Sequence, residues 1–195
     1  MRIVIAIVSG YLLGSIPFAL LLTRSRGVDL RRVGSHNLGA ANVLRTVGVT
    51  RAVAVMLLDA AKGATAVVVA RLLTADLIVI MTAGLAAILG HVYPAWIGFR
   101  GGKGVAASAG VFAMVAPFAT AIAALAFVVT ILVTRFISAG SIAGALALAV
   151  ATFAVSAPGP VVVGAVAAAL LVMHRHRDNL LRLIAGTERR IGLRL

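Results

Sequence analysis

Residues 77–97 read LIVIMTAGLAAILGHVYPAWI and contain no Asp, Glu, Lys or Arg. A helix of about 20 apolar residues crosses the hydrocarbon core of a bilayer, so this stretch is long enough for one span. The whole chain has the same character, because 62% of its 195 residues are hydrophobic, 12% are charged and the mean hydropathy is +1.13. Soluble domains are about one quarter charged. The sequence therefore predicts an all-α integral membrane protein, with residues 1–195 forming a single polytopic domain.

Apolar runs also occupy most of the remaining chain. They cover Ile3–Leu22, Ala52–Leu73, Val105–Thr134 and Ile142–Met173. The first is too long for a signal-peptide core, so it is predicted to be the first membrane helix. The last two are interrupted by Pro117 and by the turn residues 157–160, where a helix ends or kinks. The most economical count is seven hydrophobic helices, four of them short, and residues 105–134 either span twice or re-enter the same face.

Two smaller features refine this prediction. Ser15-Ile16-Pro17 lies within the first run and predicts a kink, with the serine satisfying a carbonyl that the proline frees. Helices in lipid associate through Gly, Ala and Ser, because lipid gives them no hydrophobic reason to pack. The Ala- and Gly-rich runs are therefore expected to pack closely.

The basic residues predict the orientation. The net charge is +13, which in a soluble protein would indicate nucleic acid binding. In a membrane protein, Lys and Arg instead accumulate in cytoplasmic loops. Fifteen of the 18 basic residues lie in four regions, 24–51, 98–104, 135–141 and the tail from Arg175 to Arg194. With seven helices these regions share one side, so we expect an external N-terminus, a cytoplasmic C-terminus and no nucleic acid partner.

The basic side also carries four polar clusters. They are Gly34–Arg45, Gly90–Gly104, Arg135–Ser141 and His176–Glu188. In the second, Phe99-Arg100-Gly101-Gly102-Lys103-Gly104 opens a hydrophobic helix, where backbone N–H groups and the helix N-terminus attract phosphate. The spacing differs from that of a nucleotide P-loop. We expect the four clusters to converge on phosphate-bearing ligands; the alternative is ordinary cytoplasmic loops with snorkelling basic side chains.

Few ionisable residues lie within the apolar runs. Asp59 and Lys62 are three residues apart on one helix face, which predicts either a functional pair or an ion pair that fixes helix register. His91 could be a base, a metal ligand or a hydrogen-bonding group, and a bond to a neighbouring loop fits best. Cysteine is absent and the histidines are scattered, so neither a metal nor a cofactor is expected. Without a Ser-His-Asp or cysteine nucleophile pattern, an enzyme of this kind needs a substrate that is already activated.

At these clusters the chain closely resembles the bacterial acyl-phosphate:glycerol-3-phosphate acyltransferases, the PlsY family. The family patterns are Gly-Ser-Gly-Asn-x-Gly-Ala-Thr-Asn-x-x-Arg, Gly-His-x-x-Pro with Phe-Lys-Gly-Gly-Lys-Gly-Val-Ala, and His-x-x-Asn with Gly-x-Glu. They are matched by Gly34–Arg45, Gly90–Pro94 with Phe99–Ala106, and His176, Asn179, Gly186 and Glu188. Departures from the family are His36 for glycine, Ala41 for threonine, Arg100 for lysine and Ala139-Gly140 for Leu-Ala.

The resemblance implies transfer of a fatty acyl group from acyl phosphate to the 1-hydroxyl of sn-glycerol 3-phosphate. It implies catalytic roles for Ser35, Arg45, His176 and Asn179. It implies phosphate or substrate binding by Gly34, Asn37, Gly39, Asn42, His91, Gly101, Gly102, Lys103, Gly104, Ser138 and Ser141. Structural roles are expected for Asp59, Lys62 and Glu188, the last tying the tail to a basic neighbour.

The resemblance also implies a multi-pass protein of the bacterial cytoplasmic membrane, with its active site on the cytoplasmic side. Its partners would be acyl phosphate, glycerol 3-phosphate, the lipid bilayer and, functionally, an enzyme that produces acyl phosphate. Two other functional hypotheses stay open at this point, namely a membrane carrier for an organic phosphate and a non-catalytic subunit of a lipid-synthesis complex.

Overall fold

The apolar runs form helices, as their composition predicts. The structure, a computed structural model, describes residues 1–192, so Arg194 of the basic tail lies outside the described residues. The chain divides into two compact units, Met1–Met114 and a second that begins at Val115. The first unit contains α1 (Arg2–Gly14), α2 (Phe18–Thr23), α3 (Ala40–Thr46), α4 (Val49–Leu73), α5 (Leu77–Val92) and all but the last residue of α6 (Val105–Val115). The second contains α7 (Pro117–Thr134), α8 (Ile137–Ala154), α9 (Gly159–Arg175) and α10 (Arg177–Ile184).

Five segments within residues 1–192 are long and apolar enough to cross a membrane. They are Arg2–Arg26, Val49–Leu73, Leu77–Ile97, Pro117–Thr134 and Ile137–Ala154. A sixth is obtained if α9 and α10, which meet at a bend of 60°, form one span. Helix α6 has 11 residues, fewer than a bilayer crossing needs. An all-α membrane protein with five or six candidate spans is therefore confirmed, whereas seven crossings stay a prediction.

Proline residues divide the apolar runs where the sequence predicts. Helix α1 ends at Gly14, before Pro17, which confirms the predicted break. The Ser15 hydroxyl donates to the Tyr11 carbonyl oxygen at 2.8 Å, but this oxygen also accepts the Ser15 N–H, so the serine does not satisfy the carbonyl that the proline frees. Pro117 occupies the first turn of α7, where the missing N–H has no helical partner to lose. Residues 105–134 are therefore two helices, α6 and α7, rather than one.

Two polar segments are more helical than their sequence suggests. Residues 40–46 form α3 inside the first basic region, and α8 begins at Ile137. Residues 135–141, which lie between two apolar runs in the sequence and are predicted to be a turn, are therefore non-helical only to Phe136, and Ser138 and Ser141 lie in the first turns of a helix. Their small polar side chains resemble loop composition, but buried helices in membranes tolerate them well.

The first unit is held together by close helix contacts at small residues. A Cβ atom added at Gly10 or Gly14 of α1 would overlap the α5 backbone at Ala83 or Ala87. The same holds for Gly110 of α6, which lies against the α4 backbone at Ala60. Packing through Gly and Ala is confirmed, because these helices approach too closely for any larger side chain.

Candidate active site

The first polar segment is shaped by Asn42 on α3. Its side-chain oxygen accepts the Ser35 N–H at 2.9 Å, and its amide donates to the carbonyl oxygens of Leu30 and Val33 at 3.3 and 3.1 Å. Asn42 is 1% exposed, so its polar atoms serve the loop. Asn42 thus holds the loop that carries Ser35, and the phosphate contact predicted for it stays a prediction. Arg45 lies in the last turn of the same helix and is half-buried.

Two residues of this segment adopt left-handed backbone conformations. Gly34 has φ +65°, and a Cβ there would overlap the Asn42 side-chain oxygen. His36 has φ 54°, which is uncommon for a residue with a side chain. Its ring Nδ1 lies 3.0 Å from the Arg31 carbonyl oxygen. The family pattern has glycine at this position, and the positive φ gives the physical reason. Gly39 has extended backbone and begins α3 as its N-cap.

The second polar segment folds back on the end of α5. The Gly101 N–H donates to the Val92 carbonyl and the Gly102 N–H to the His91 carbonyl, both at 3.0 Å. A Cβ at Gly101 would overlap the His91 carbonyl oxygen, and one at Gly102 would overlap the His91 ring. The two glycines are needed for this close approach. Both amides donate to backbone carbonyls in this structure, and the phosphate cradle predicted for them stays a prediction.

Lys103 and Gly104 follow directly and lead into α6. Lys103 is half-buried, and Gly104 has φ +89°. The Gly104 carbonyl accepts the Ser108 N–H at 2.8 Å, so Gly104 begins the helix. An ammonium beside a helix N-terminus combines a full positive charge with the positive end of the helix dipole. Phosphate binding by Lys103 and Gly104 therefore stays a prediction that this position at the start of α6 favours.

The two segments touch each other inside the first unit. The Asn37 side-chain amide donates to the Gly101 carbonyl oxygen at 3.4 Å, a contact between residues 64 positions apart. Two of the four predicted clusters therefore lie side by side. The predicted convergence of all four clusters stays a prediction.

A buried charged cluster lies behind the second segment. Asp59 Oδ1 is 2.8 Å from Lys62 Nζ and 3.4 Å from His91 Nδ1, and the three side chains are 3%, 4% and 6% exposed. Lys62 also donates to the Ile16 carbonyl oxygen at 2.8 Å, at the break between α1 and α2. The Asp59–Lys62 pair follows from their spacing. His91 was not predicted to join it, because 32 positions separate His91 from Asp59 and no local pattern marks such a contact. Asp59, Lys62 and His91 are called the Asp59 cluster below.

In the second unit, Glu188 gathers three side chains. Its carboxylate accepts from the Ser138 hydroxyl at 3.0 Å, the Asn179 amide at 2.8 Å and Arg182 Nε at 2.7 Å. Burial acts to raise the pKa of Glu188, but the hydrogen bonds from Asn179, Arg182 and Ser138 outweigh it and the pKa is lowered. The basic neighbour expected for Glu188 is Arg182. These four residues are called the Glu188 cluster below.

The remaining predicted site residues also lie in the second unit. His176 is 3% exposed at the bend between α9 and α10, and its Nδ1 lies 2.8 Å from the Val172 carbonyl oxygen. An imidazole that donates from Nδ1 has its acceptor lone pair on Nε2 when neutral. The Ser141 hydroxyl donates to the Ile137 carbonyl one helical turn earlier, at 2.9 Å. Ser138 and Ser141 thus donate within the protein in this structure, and the phosphate contacts predicted for them stay predictions.

Comparison with known proteins extends over nearly the whole chain. A family model described as glycerol-3-phosphate acyltransferase matches residues 4–186. Curated proteins described as glycerol-3-phosphate acyltransferase include one from Myxococcus xanthus that is 49% identical, covering 93% of this chain and 95% of the relative. Another, from Agrobacterium fabrum, is 45% identical, covering 96% of this chain and 91% of the relative.

Two solved structures have the same fold. Both are described as PlsY (YgiH), an integral membrane glycerol 3-phosphate acyltransferase, one in a glycerol 3-phosphate form and one in a lysophosphatidic acid form. Their TM-scores are 0.94 and 0.92, with 37% and 36% sequence identity, and each match covers 98% of this chain and 96% of the other. These relatives favour the enzyme over the organic-phosphate carrier and the non-catalytic subunit. Sequence over almost its full length and the arrangement of its helices both place the chain in the PlsY family of membrane glycerol-3-phosphate acyltransferases.

Proposed function

We propose that the acyl donor is an acyl phosphate and that the acceptor atom is the 1-hydroxyl oxygen of sn-glycerol 3-phosphate. That oxygen attacks the acyl carbonyl carbon, the bond from this carbon to the phosphate oxygen breaks, and inorganic phosphate leaves. The product is 1-acyl-glycerol 3-phosphate, a lysophosphatidic acid. The glycerol 3-phosphate and lysophosphatidic acid forms of the solved relatives are consistent with this acceptor and this product.

The contact between Asn37 and Gly101 carries this proposal. It joins the segment that bears Ser35 to the segment that leads into Lys103, so polar side chains and a cation adjoin in one unit. An acyl phosphate is a mixed anhydride with a good leaving group, so the protein needs no nucleophile of its own. Positioning of the two reactants and stabilisation of the developing negative charge then suffice.

The decisive measurement of the donor uses purified protein with radiolabelled glycerol 3-phosphate. Acyl product with palmitoyl phosphate, and none with palmitoyl coenzyme A, supports the proposal. Product with the thioester alone overturns it. The same protein in sealed vesicles excludes transport, because a carrier would move label across the bilayer without forming product.

Lys103 is proposed to bind the phosphate of glycerol 3-phosphate. Lys103→Ala should raise the KM for glycerol 3-phosphate roughly tenfold or more, since a hydrogen bond to a charged group contributes about 1.5–3 kcal/mol. The matched control is Arg26→Ala, which removes an equal charge from an exposed side chain in the first basic region. An unchanged KM in Lys103→Ala overturns this role.

Arg45 is proposed to bind phosphate as a planar fork. Arg45→Lys should then lower activity strongly, because an ammonium cannot reproduce two parallel hydrogen bonds. Full activity of Arg45→Lys would leave Arg45 with the simpler task of anchoring α3.

The departing phosphate is proposed to accept the hydroxyl proton, with His176 as the competing base. Donation from Nδ1 to the Val172 carbonyl leaves the lone pair of neutral His176 on Nε2, which supports the competing version. The His176→Gln variant separates the two. Loss of a limb of the pH–rate profile with substrate binding retained assigns the proton to His176, and an unchanged profile assigns it to the phosphate.

We further propose seven membrane crossings, an external N-terminus and cytoplasmic basic loops in the bacterial inner membrane. The chain has no cysteine, so introduced cysteines can be labelled individually. Arg100→Cys and Ala75→Cys are both exposed and are separated by α5. A membrane-impermeant reagent added to intact cells should label only Ala75→Cys. Labelling of Arg100→Cys from outside would reverse the orientation.

A further inference from the structure

The Asp59 cluster has no task in the reaction proposed above. Its three side chains are almost completely buried, and removing charged groups from water is costly unless they pair and hydrogen-bond well. Ionisable side chains inside membrane segments therefore mark function more often than ordinary packing.

His91 links this cluster to the second polar segment in two ways. Its carbonyl oxygen accepts the Gly102 N–H at 3.0 Å, and its ring fills the space where a Gly102 side chain would stand. Its Nδ1 faces the Asp59 carboxylate at 3.4 Å. A carboxylate beside one ring nitrogen fixes both the tautomer and the orientation of an imidazole. The position of the ring, in turn, limits how closely the backbone at Gly102 can approach α5.

Lys62 restrains the same Asp59 oxygen that faces His91. Its ammonium lies 2.8 Å from Asp59 Oδ1 and donates to the Ile16 carbonyl oxygen, also at 2.8 Å. Asp59 is thus held from one side by a cation that is itself tied to the α1–α2 break. A carboxylate restrained in this way can orient His91 with little freedom.

We propose that Asp59 is a positioning residue for the glycerol 3-phosphate site, acting through His91 on Gly102 and so on Lys103. Asp59 orients the His91 ring, the ring and carbonyl of His91 hold Gly102, and Gly102 sets the place from which the Lys103 ammonium reaches phosphate. This rests on the phosphate-binding role proposed for Lys103. Displacing Lys103 weakens binding of glycerol 3-phosphate and leaves the handling of the acyl donor unchanged.

Two charge-neutral double variants test the proposal. Asp59→Asn with Lys62→Met removes both charges but keeps a side-chain oxygen that can accept from His91 Nδ1. Asp59→Leu with Lys62→Met removes the same charges at similar volume and keeps no acceptor. We expect the KM for glycerol 3-phosphate to rise about tenfold in the leucine variant and less than about threefold in the asparagine variant. The KM for acyl phosphate and the saturated rate should stay within about twofold in both.

A merely structural role predicts a different pattern. Both doubles would then change both KM values and the saturated rate together, or neither would change anything. Equal KM values for glycerol 3-phosphate in the leucine and asparagine variants would overturn the proposal. So would an equal rise in the KM for acyl phosphate.

The second test examines the contact between His91 and Gly102 and does not depend on the double variants folding. Gly102→Ala should raise the KM for glycerol 3-phosphate, because its methyl group displaces the ring. In the His91→Ala background the ring is gone, and the same methyl group should add less than about a twofold further rise. Additive effects would show that the ring does not position Gly102 and would overturn the proposal.

Binding of glycerol 3-phosphate by calorimetry, without any acyl donor, separates this proposal from the proposed donor. If the wild type binds glycerol 3-phosphate but fails to use acyl phosphate, the donor assignment is wrong and the positioning role is still measured as a change in Kd. If Lys103→Ala does not change that Kd while the leucine double does, the effect does not pass through Lys103 and the proposal fails.

Discussion

The Asp59 cluster and the Glu188 cluster stabilise a buried carboxylate in different ways. Each buries a carboxylate beside a cation and adds neutral or titratable partners. In the first, the cation is as hidden as the acid, since the Lys62 side chain is 4% exposed. In the second, the acid is 1% exposed but the Arg182 side chain is 41% exposed. A buried acid therefore does not require a buried base.

The consequence of losing the acid should therefore differ between the two clusters. Without Asp59, the Lys62 ammonium stays inside a membrane helix. Without Glu188, the Arg182 guanidinium can turn to water, and only the neutral donors of Ser138 and Asn179 lose an acceptor. The loss of stability on removing an acid should therefore decrease from Asp59 to Glu188 and to the exposed acid Asp29.

The largest effect is expected for Asp59→Ala. It leaves a buried cation without its carboxylate, and breaking such a pair from one side costs about 3–5 kcal/mol. The thermal unfolding midpoint in detergent should fall strongly, and Asp59→Ala with Lys62→Met should recover most of the loss. Equal midpoints for the single and double variants would contradict the idea that the orphaned charge causes the loss.

Glu188→Ala should have a smaller effect, about 1–3 kcal/mol, because two buried donors lose their acceptor while the cation can hydrate. Chemical denaturation followed by the near-ultraviolet signal would measure it. Glu188→Gln is the control, since an amide oxygen still accepts from Ser138 and Asn179. If Glu188→Ala costs as much as Asp59→Ala, exposure of the cation does not matter and the comparison fails.

The pH dependence of stability should report the Glu188 cluster. The pKa of Glu188 lies below its usual value of 4.5, so the folded state favours the ionised form. Its contribution is therefore fully present above pH 4.5 and is lost as the pH falls through the lowered pKa. The difference in unfolding free energy between wild type and Glu188→Gln should be constant near neutrality and shrink in acid. A difference that grows in acid would have the wrong sign.

The smallest effect is expected for the exposed acid Asp29. Its carboxylate lies 2.9 Å from Arg31 Nε, and the two side chains are 32% and 57% exposed. Exposed ion pairs contribute little to stability, because water and salt screen them. Asp29→Asn should change the unfolding midpoint by little and less so in high salt, as screening predicts. A loss of stability as large as that of Glu188→Ala would contradict the idea that the loss becomes smaller as the ion pair becomes more exposed.

Local signals in the sequence predicted the helices well. Long apolar runs and the positions of Pro17 and Pro117 placed the helix breaks, because each depends on residues that are neighbours in the chain. The start of α8 at Ile137 was missed since Ser138, Gly140 and Ser141 look like a turn by composition. Their helical state depends on packing against other helices, which one sequence does not display.

The contacts that the predicted site residues make could be predicted only where the partners are close in sequence. The Asp59–Lys62 pair follows from helical spacing, whereas the addition of His91 depends on how α4 and α5 pack. The glycines at 101 and 102 predict an anion cradle, and the structure adds a packing reason for them, because the His91 ring and carbonyl lie against them. His36 stands where the family has glycine, and only its φ of 54° explains that preference.

The hydrogen bond from Lys62 to the Ile16 carbonyl has a consequence for engineering. The Ile16 carbonyl accepts from Lys62 and from the Phe18 N–H at 3.1 Å where the helix is interrupted, so a graft that replaces residues 14–19 by uninterrupted helix would change both bonds. The proline-containing break and the charged pair therefore depend on each other structurally. Transplanting either one into another membrane scaffold calls for moving both.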